Sequence, residues 1–378
     1  MEAQGHTFQF IPDGDERLER LIAHIESARE CMQMFYFMFQ EDEAGTRVRD
    51  ALVAAAHRGV EVELMVDDFG TDARDEFFDP LREAGARFDL FSPRLSVRYL
   101  IRNHQKMAIA DRERVMAGGF NISDHYFASP PDNGWCDLGV YIEGPVTQQF
   151  CEWFDQLKHW IEIKSSDFRL IRRLVKQWDG GDGPVRLLLG GPGKSKSKWA
   201  ICAKSDMNDS DQLDMVMAYF SPPRSMRRVI ERLGRRGKAR IIMAGKSDNT
   251  TTIAAARSLY RPLSRANVQL FEFQPCKLHM KLIVVGDVTY FGSANFDHRS
   301  IRLNLELMVR VEDAALAQRM REMIDHIESA SERITSEWRR EHATWFNRMR
   351  WWLGRFIVSG VDYTVTRRLN LKAGTLEV

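Results

Sequence analysis

Two histidine–lysine pairs carry most of the chemical content of this sequence: His104-Gln105-Lys106 and His279-Met280-Lys281. In the first copy Asp111 follows, then Gly118-Gly119-Phe120-Asn121. In the second, an extra Gly286 precedes Asp287, and then comes Gly292-Ser293-Ala294-Asn295. Residues two apart on a strand face the same way, so each histidine is expected to project beside its lysine. Asn121 and Asn295 sit where a following strand-turn can return them to the same surface. Two such halves set face to face would bring two imidazoles, two ammoniums and two amides to one cleft. A phosphodiester is an anion whose transition state gathers more charge on its non-bridging oxygens, and fixed cations and amide donors favour that state. One histidine can attack phosphorus and form a covalent phosphohistidine. The other can protonate the departing alkoxide and then deprotonate the incoming alcohol, help worth roughly 100- to 10,000-fold. The lysines supply the positive charge a metal would bring, so neither metal nor other cofactor is expected. The candidate catalytic residues are therefore His104, Lys106, Asp111, His279, Lys281 and Asp287, with Asn121, Ser293 and Asn295 binding phosphate. A lone His-x-Lys is usually an ordinary surface pair; its recurrence with a matching Gly-x-x-Asn turn argues for function.

The elements around the pairs also repeat. A helical segment ending at Arg58-Gly59 precedes an apolar strand over residues 60–66, and a second ending at Arg236-Gly237 precedes a strand over 239–244. The glycine fits a helix C-terminal cap in both. A further helix and a short strand follow (residues 86–91 and 267–273), and then the motif. The distance from glycine to histidine is 45 residues in one half and 42 in the other. Alternating helices and short apolar strands imply an α/β fold: two tandem domains, each a mixed sheet flanked by helices, with the site at the pseudo-twofold interface. A Gly/Asp/Lys/Ser-rich stretch around 179–198 reads as the join, with the boundary near 165–183. The expected division is 1–170, 171–335 and a C-terminal extension over 336–378.

Lys plus Arg (54) nearly balance Asp plus Glu (53), which argues against a dedicated nucleic-acid binder. Five scattered cysteines without a C-x-x-C pattern suggest free thiols in a reducing compartment. No signal peptide and no run of eighteen apolar residues is found, so a cytosolic protein without membrane spans is expected. Asp67-Asp68 could suggest a metal site, but without a matching ligand cluster a capping or turn role is expected. His57 and His125 read as structural.

The pattern resembles the phospholipase D superfamily, whose signature is H-x-K-x4-D-x6-G-S-x-N, over roughly residues 7 to 312. The first copy departs at Gly119, where the family has serine, and the second departs in register at Asp287. The resemblance implies His104 as nucleophile and His279 as acid and base. Asp137 and Glu306, downstream of each motif, are candidates to hold a motif histidine, since a nucleophilic imidazole needs its second N–H bound to a fixed acceptor. Within the superfamily the chain resembles bacterial cardiolipin synthases, through Phe35-Tyr36-Phe37-Met38-Phe39, Tyr219-Phe220-Ser221-Pro222 and Gly292-Ser293-Ala294-Asn295-Phe296-Asp297-His298-Arg299 among other segments. That implies transfer of a phosphatidyl group from phosphatidylglycerol to a second phospholipid, with phosphatidylethanolamine as another candidate substrate. It also implies a peripheral place on the cytoplasmic face of the bacterial inner membrane.

In the extension Trp345, Phe346, Met349, Trp352, Leu353, Phe356 and Ile357 recur at helical spacing, interleaved with Arg339, Arg340, Arg348, Arg350 and Arg355. A basic aromatic helix suits the headgroup layer of an anionic membrane, and docking on the domains is the alternative. Truncation after about residue 335 is expected to leave the two halves folded. Two other functions are weighed: hydrolysis of phospholipid (less so nucleic acid) by the same residues, and a non-catalytic membrane scaffold. The presence of both histidines and both lysines opposes the scaffold.

Overall fold

The computed structural model describes residues 1–92, 102–163, 168–193 and 195–358. In the first half, β1 (His6–Ile11), α1 (Gly14–Glu26), β2 (Cys31–Tyr36), α2 (Glu43–His57), β3 (Glu61–Asp67) and β4 (Arg87–Phe91) lead to the motif. Then follow β5 (Lys106–Ala110), β6 (Arg114–Gly118), β7 (Gly139–Glu143) and α3 (Val146–Glu162). The second half repeats the series as β8 (Val185–Gly190), α4 (Lys198–Asp209), β9 (Gln212–Met217), α5 (Arg224–Arg236), β10 (Lys238–Ala244), α6 (Thr250–Arg257) and β11 (Gln269–Phe273). It continues with β12 (Lys281–Val285), β13 (Val288–Gly292), β14 (Glu306–Glu312) and α7 (Ala314–Ser329).

Each half builds an eight-stranded mixed sheet. The first runs β1-β7-β6-β5-β2-β3-β4 and the second β8-β14-β13-β12-β9-β10-β11, with a short strand added at opposite ends, Glu2–Ala3 and Ser331–Arg333. β2, β3 and β4 are parallel, as are β9, β10 and β11, while the hairpin strands run antiparallel. One face of each sheet is covered by its own helices. The other faces share one interior, filled by Phe150, Trp153, Phe154 and Trp160 of α3 and by Leu316 and Met320 of α7. Phe8 and Phe10 meet Phe291 of the other half edge-on at 6.0 and 5.4 Å. Truncating one of these tryptophans to alanine is a change that costs about 3–5 kcal/mol in protein cores, so the halves hold one another together.

The expected elements are all present, with bounds shifted by a residue or two. Gly59 does take a left-handed conformation (φ 90°) after α2. Gly237 does not; its φ is −146°, and its lack of a side chain is needed because a Cβ would lie 1.8 Å from the Asp211 carbonyl oxygen. Within the stretch 165–183, where the boundary is expected, lies a helix, Phe168–Gln177, whose Ile171 and Val175 are buried in the shared interior. Residues 165–167 of that stretch lie outside the described residues, as does 359–378 of the extension.

The extension forms α8 (Ser336–His342) and α9 (Trp345–Phe356). α9 docks on α6 through Trp351 and Gly354, a residue whose missing side chain lets the helices touch: a Cβ would stand 2.8 Å from that of Ala254. Trp338 of α8 and Trp351 belong to the second half's core. The truncation expectation is corrected accordingly, because cutting at 335 removes two buried indoles. The seven apolar residues read as one face are nonetheless exposed, by 44% at Ile357 up to 77% at Trp345. The helix docks by one narrow side and keeps its aromatic side outward.

Candidate active site

β5 and β12 begin at the lysines, so His104 and His279 lie just before the strands rather than on them. What fixes them is a pair of exchanges between the halves. His104 N–H donates to the Leu305 carbonyl at 2.8 Å and Leu305 N–H to that of Arg102 at 2.9 Å. In the mirror position, Lys277–Leu278 pairs in parallel with Trp135–Cys136, and His279 N–H donates to the Cys136 carbonyl at 2.7 Å. Each histidine is thereby set next to a carboxylate of the opposite half.

His104 Nδ1 lies 3.1 Å from Glu306 Oε2, and His279 Nδ1 lies 2.6 Å from Asp137 Oδ2. A carboxylate accepts, so Nδ1 carries the hydrogen in both rings and Nε2 the lone pair. His104 Nδ1 is also 3.1 Å from the Ser293 carbonyl oxygen, which agrees with a donating Nδ1. Lys281 Nζ approaches His279 Nδ1 at 2.8 Å, but that nitrogen cannot accept while it donates to Asp137. The shorter, charge-assisted bond to Asp137 decides the tautomer, and Lys281 donates to the His279 carbonyl instead. Lys106 likewise donates to the His104 carbonyl at 2.7 Å.

Burial first, and then the neighbouring lysine's charge, depress both imidazoles to about 4, against the pull of Glu306 and Asp137. Burial depresses Lys281 to about 8 and Lys106 well below the ordinary lysine range. Asp137 and Glu306 are held below the usual carboxylate range: burial pushes each up, and the histidine and lysine charges outweigh it.

The histidines open onto a cleft of about 520 Å³ that Asn121, Asn295, Tyr126 and Tyr219 also line. Asn121 Nδ2 donates to the Tyr126 hydroxyl at 2.9 Å, and the amide oxygens of Asn121 and Asn295 are buried without a hydrogen-bond partner among the described residues. Tyr126, Trp135 and Tyr219 surround the His279 ring at 5.1, 5.5 and 6.5 Å between centroids. Phe37 meets His104 at 5.0 Å. These aromatic walls carry no spacing signal and were not anticipated. His125 stacks on Trp135 at 5.9 Å, in keeping with a structural reading.

Three expected site residues fall elsewhere. Ser293 is fully buried, and its hydroxyl donates to Glu306 Oε2 at 2.5 Å, so it orients the carboxylate rather than meeting phosphate. Asp111 lies at the far end of β5, where Oδ1 accepts the N–H groups of Arg29, Glu30 and Cys31 at 2.9, 2.8 and 3.2 Å. It clamps the loop into β2. Asp287 is exposed in the tight β12–β13 turn. The true counterpart of Asp111 is Gly286, five residues after its lysine and equally left-handed (φ 53° against 52°). Ser210 takes over the clamp there, with its hydroxyl accepting Gln212 N–H at 3.1 Å. Asp111→Ala is therefore expected to lower stability by about 1–3 kcal/mol through unsatisfied N–H groups, while kcat stays within about twofold of wild type. Thermal denaturation beside steady-state assays checks this, and a large loss of kcat in a folded variant would return Asp111 to the chemistry. Asp67, read as a turn residue, does accept Phe69 and Gly70 N–H, and it also holds Asn103 N–H at 2.8 Å beside His104.

Two copies of one sheet, exchanging carboxylates across paired histidines and lysines, define the tandem class of the phospholipase D superfamily. The chain belongs to the family described as "Cardiolipin synthase, PLD-like domain", whose profile matches residues 21–158 and 204–328. It is 28% identical over 319 residues to cardiolipin synthase 1 of Bacillus cereus, covering 80% of this chain and 62% of that one. It is 28% identical over 356 residues to cardiolipin synthase B of Escherichia coli (strain K12), covering 91% and 86%. The chain thus spans less than two thirds of the Bacillus relative's length. Among solved structures, phosphatidylserine synthase of Haemophilus influenzae shares the fold, with a TM-score of 0.73, 14% identity and 95% of both chains covered.

Proposed function

We propose that the protein is a phosphatidyltransferase that moves a phosphatidyl group from phosphatidylglycerol to a second phospholipid, through a phosphohistidine on His104. The observation that carries this reading is the pair of imidazoles with Nδ1 tied to Glu306 and Asp137, which leaves two Nε2 atoms on one cleft. Two ionised carboxylates face the two lysines, with both imidazoles neutral. An incoming phosphodiester adds one negative charge, and the site then favours one added proton. A neutral His104 attacks phosphorus as an imidazolium His279 protonates the departing glycerol oxygen; the same His279 then takes the proton of the acceptor's hydroxyl as that oxygen displaces His104. Lys106, Lys281, Asn121 and Asn295 would hold the phosphoryl oxygens. The names of the relatives support the substrate class. The exposed aromatic side of α9 supports work at a membrane surface, which we place on the cytoplasmic face of the inner membrane; Ile357 and Val358 at its end line the mouth of the same cleft.

Pure protein incubated with labelled phosphatidylglycerol vesicles is expected to yield cardiolipin and glycerol. Phosphatidic acid as the only lipid product would replace this reading with hydrolysis. The pH dependence follows from the lysines and imidazoles. Lys281 loses its charge as pH rises through about 8, so kcat/KM is expected to fall there. Both imidazoles are neutral above about 4, so kcat/KM is expected to be highest near that pH and to decline as pH rises, because substrate binding must then take up the proton that His279 donates; below it His104 gains a proton and loses its lone pair. A kcat/KM still rising at pH 9 would show that Lys281 keeps its charge or is not required.

A further inference from the structure

A second cleft, of about 630 Å³, lies between α8, α9 and the segment after α6, apart from both histidines. Arg261, Arg265, Arg339, Arg348 and Arg355 line it and make no ion pair among the described residues. Two further arginines of the lining are paired, Arg257 with Glu272 at 2.7 Å and Arg340 with Glu337 at 3.4 Å. Arg355 is pushed below the ordinary arginine range by burial and then by the charges of Arg227 and Arg224, in keeping with an excess of positive charge around it. Two walls of the cleft are the indoles of Trp338 and Trp351, each 6% exposed, and both have a buried N–H without a partner among the described residues. Buried donors without acceptors, beside unpaired guanidiniums, are a cost that an anionic acceptor would remove. Trp352 lines the same cleft while 63% exposed, and Trp345 and Phe346 stand out beyond it. A phospholipid with its phosphate in the cleft would therefore have its acyl chains beside an apolar surface.

We propose that this cleft binds the phosphodiester headgroup of an anionic phospholipid, as a docking site distinct from the catalytic one. It rests on the reading of the protein as a phospholipid enzyme and adds where the membrane is gripped. The site explains why α9 is packed down by Trp351 and Gly354 while its aromatic side faces out: the helix is held at a fixed height over the arginines. The arginine fork suits phosphate oxygens, and the indoles supply further donors.

The full chain is to be bound to phosphatidylcholine vesicles with and without about one third phosphatidylglycerol. The pair Arg261→Gln/Arg348→Gln is expected to weaken binding to the anionic vesicles by about 25-fold, roughly fivefold for each charge. Arg228→Gln/Arg235→Gln, which removes two exposed charges of α5 outside the cleft, should change it less than threefold. Equal loss in both pairs would mean general charge attraction and would overturn the site. Indole N–H resonances of Trp338 and Trp351 should shift with dihexanoyl-phosphatidylglycerol and not with inorganic phosphate at the same concentration. Equal shifts with phosphate would reduce the cleft to a simple anion site, and no shift with either would dismiss it. Thermal denaturation confirms folding of each variant. Transfer measured on the short-chain lipid separates the two readings: transfer without the vesicle effect rejects the cleft alone, and cleft binding without transfer rejects the activity alone.

Discussion

Replacing His104 or His279 by alanine is expected to lower phosphatidyl transfer by at least a thousandfold, with the double variant little worse than either single one. Both histidines act in each half-reaction, so removing one strands the other, and such losses do not add. The two should differ in what accumulates. The His104 variant has no nucleophile and should carry no label from a phosphorus-labelled donor. The His279 variant keeps the nucleophile but lacks the base that activates the second alcohol, so an acid-labile, base-stable label should build up on His104. The geometry supports this assignment of roles. His279 holds Asp137 at 2.6 Å, a short charge-assisted bond that favours its protonated form, as an acid needs. His104 has the longer 3.1 Å contact and the more exposed ring, 13% against 6%, as an attacking group needs. Label mapped to position 279 would reverse the roles, and more than about a tenth of the wild-type rate in either variant would contradict general acid–base catalysis by the pair.

The duplication of the histidine–lysine motif was legible because its chemistry is local: the two residues stand two apart, and a strand with a Gly-x-x-Asn turn follows. The repeat of helix, strand and motif was legible for the same reason, and it placed both sheets. The exchange of Glu306 to His104 and of Asp137 to His279 was not, because it depends on how one half sits against the other. Both carboxylates could be named as partners, but which histidine each serves is set by Leu305 and Cys136 pairing across the interface. The aspartate of the motif was misplaced for a related reason. Matching Asp287 to Asp111 by residue type hides that the backbone position is kept by Gly286 and the clamp by Ser210. In the extension, helical spacing found the outward aromatic side. It did not show that Trp351, on another side of the same helix, is what docks, since a tryptophan facing lipid and one facing protein read alike in sequence.

Gly119, where the second half has Ser293, is expected to be a required departure and not a tolerated one. In each half a carboxylate stands two residues before the partner of the motif's first glycine: Gly118 pairs with Gly139 and Gly292 with Met308, which puts Asp137 and Glu306 in equivalent places. The second half uses a long carboxylate steadied by the Ser293 hydroxyl. The first uses a shorter one that leans over residue 119, where a Cβ would stand 2.4 Å from Asp137 Oδ1. Asp137 cannot retreat freely, because that oxygen accepts Leu138 N–H at 2.8 Å and the other holds His279. Gly119→Ser should therefore displace the carboxylate and release His279, with a loss of about 100-fold in kcat, the size expected for a misplacement near 1 Å. The fold should survive, since the clash is with the end of one side chain. Adding Asp137→Glu to Gly119→Ser copies the serine–glutamate pair of the second half and is expected to recover at least tenfold of that loss. If the single variant keeps wild-type kcat, the 2.4 Å approach is relieved without disturbing His279. If the double variant is no better than the single one, the two halves hold their histidines by different geometry, and the equivalence of Asp137 and Glu306 fails.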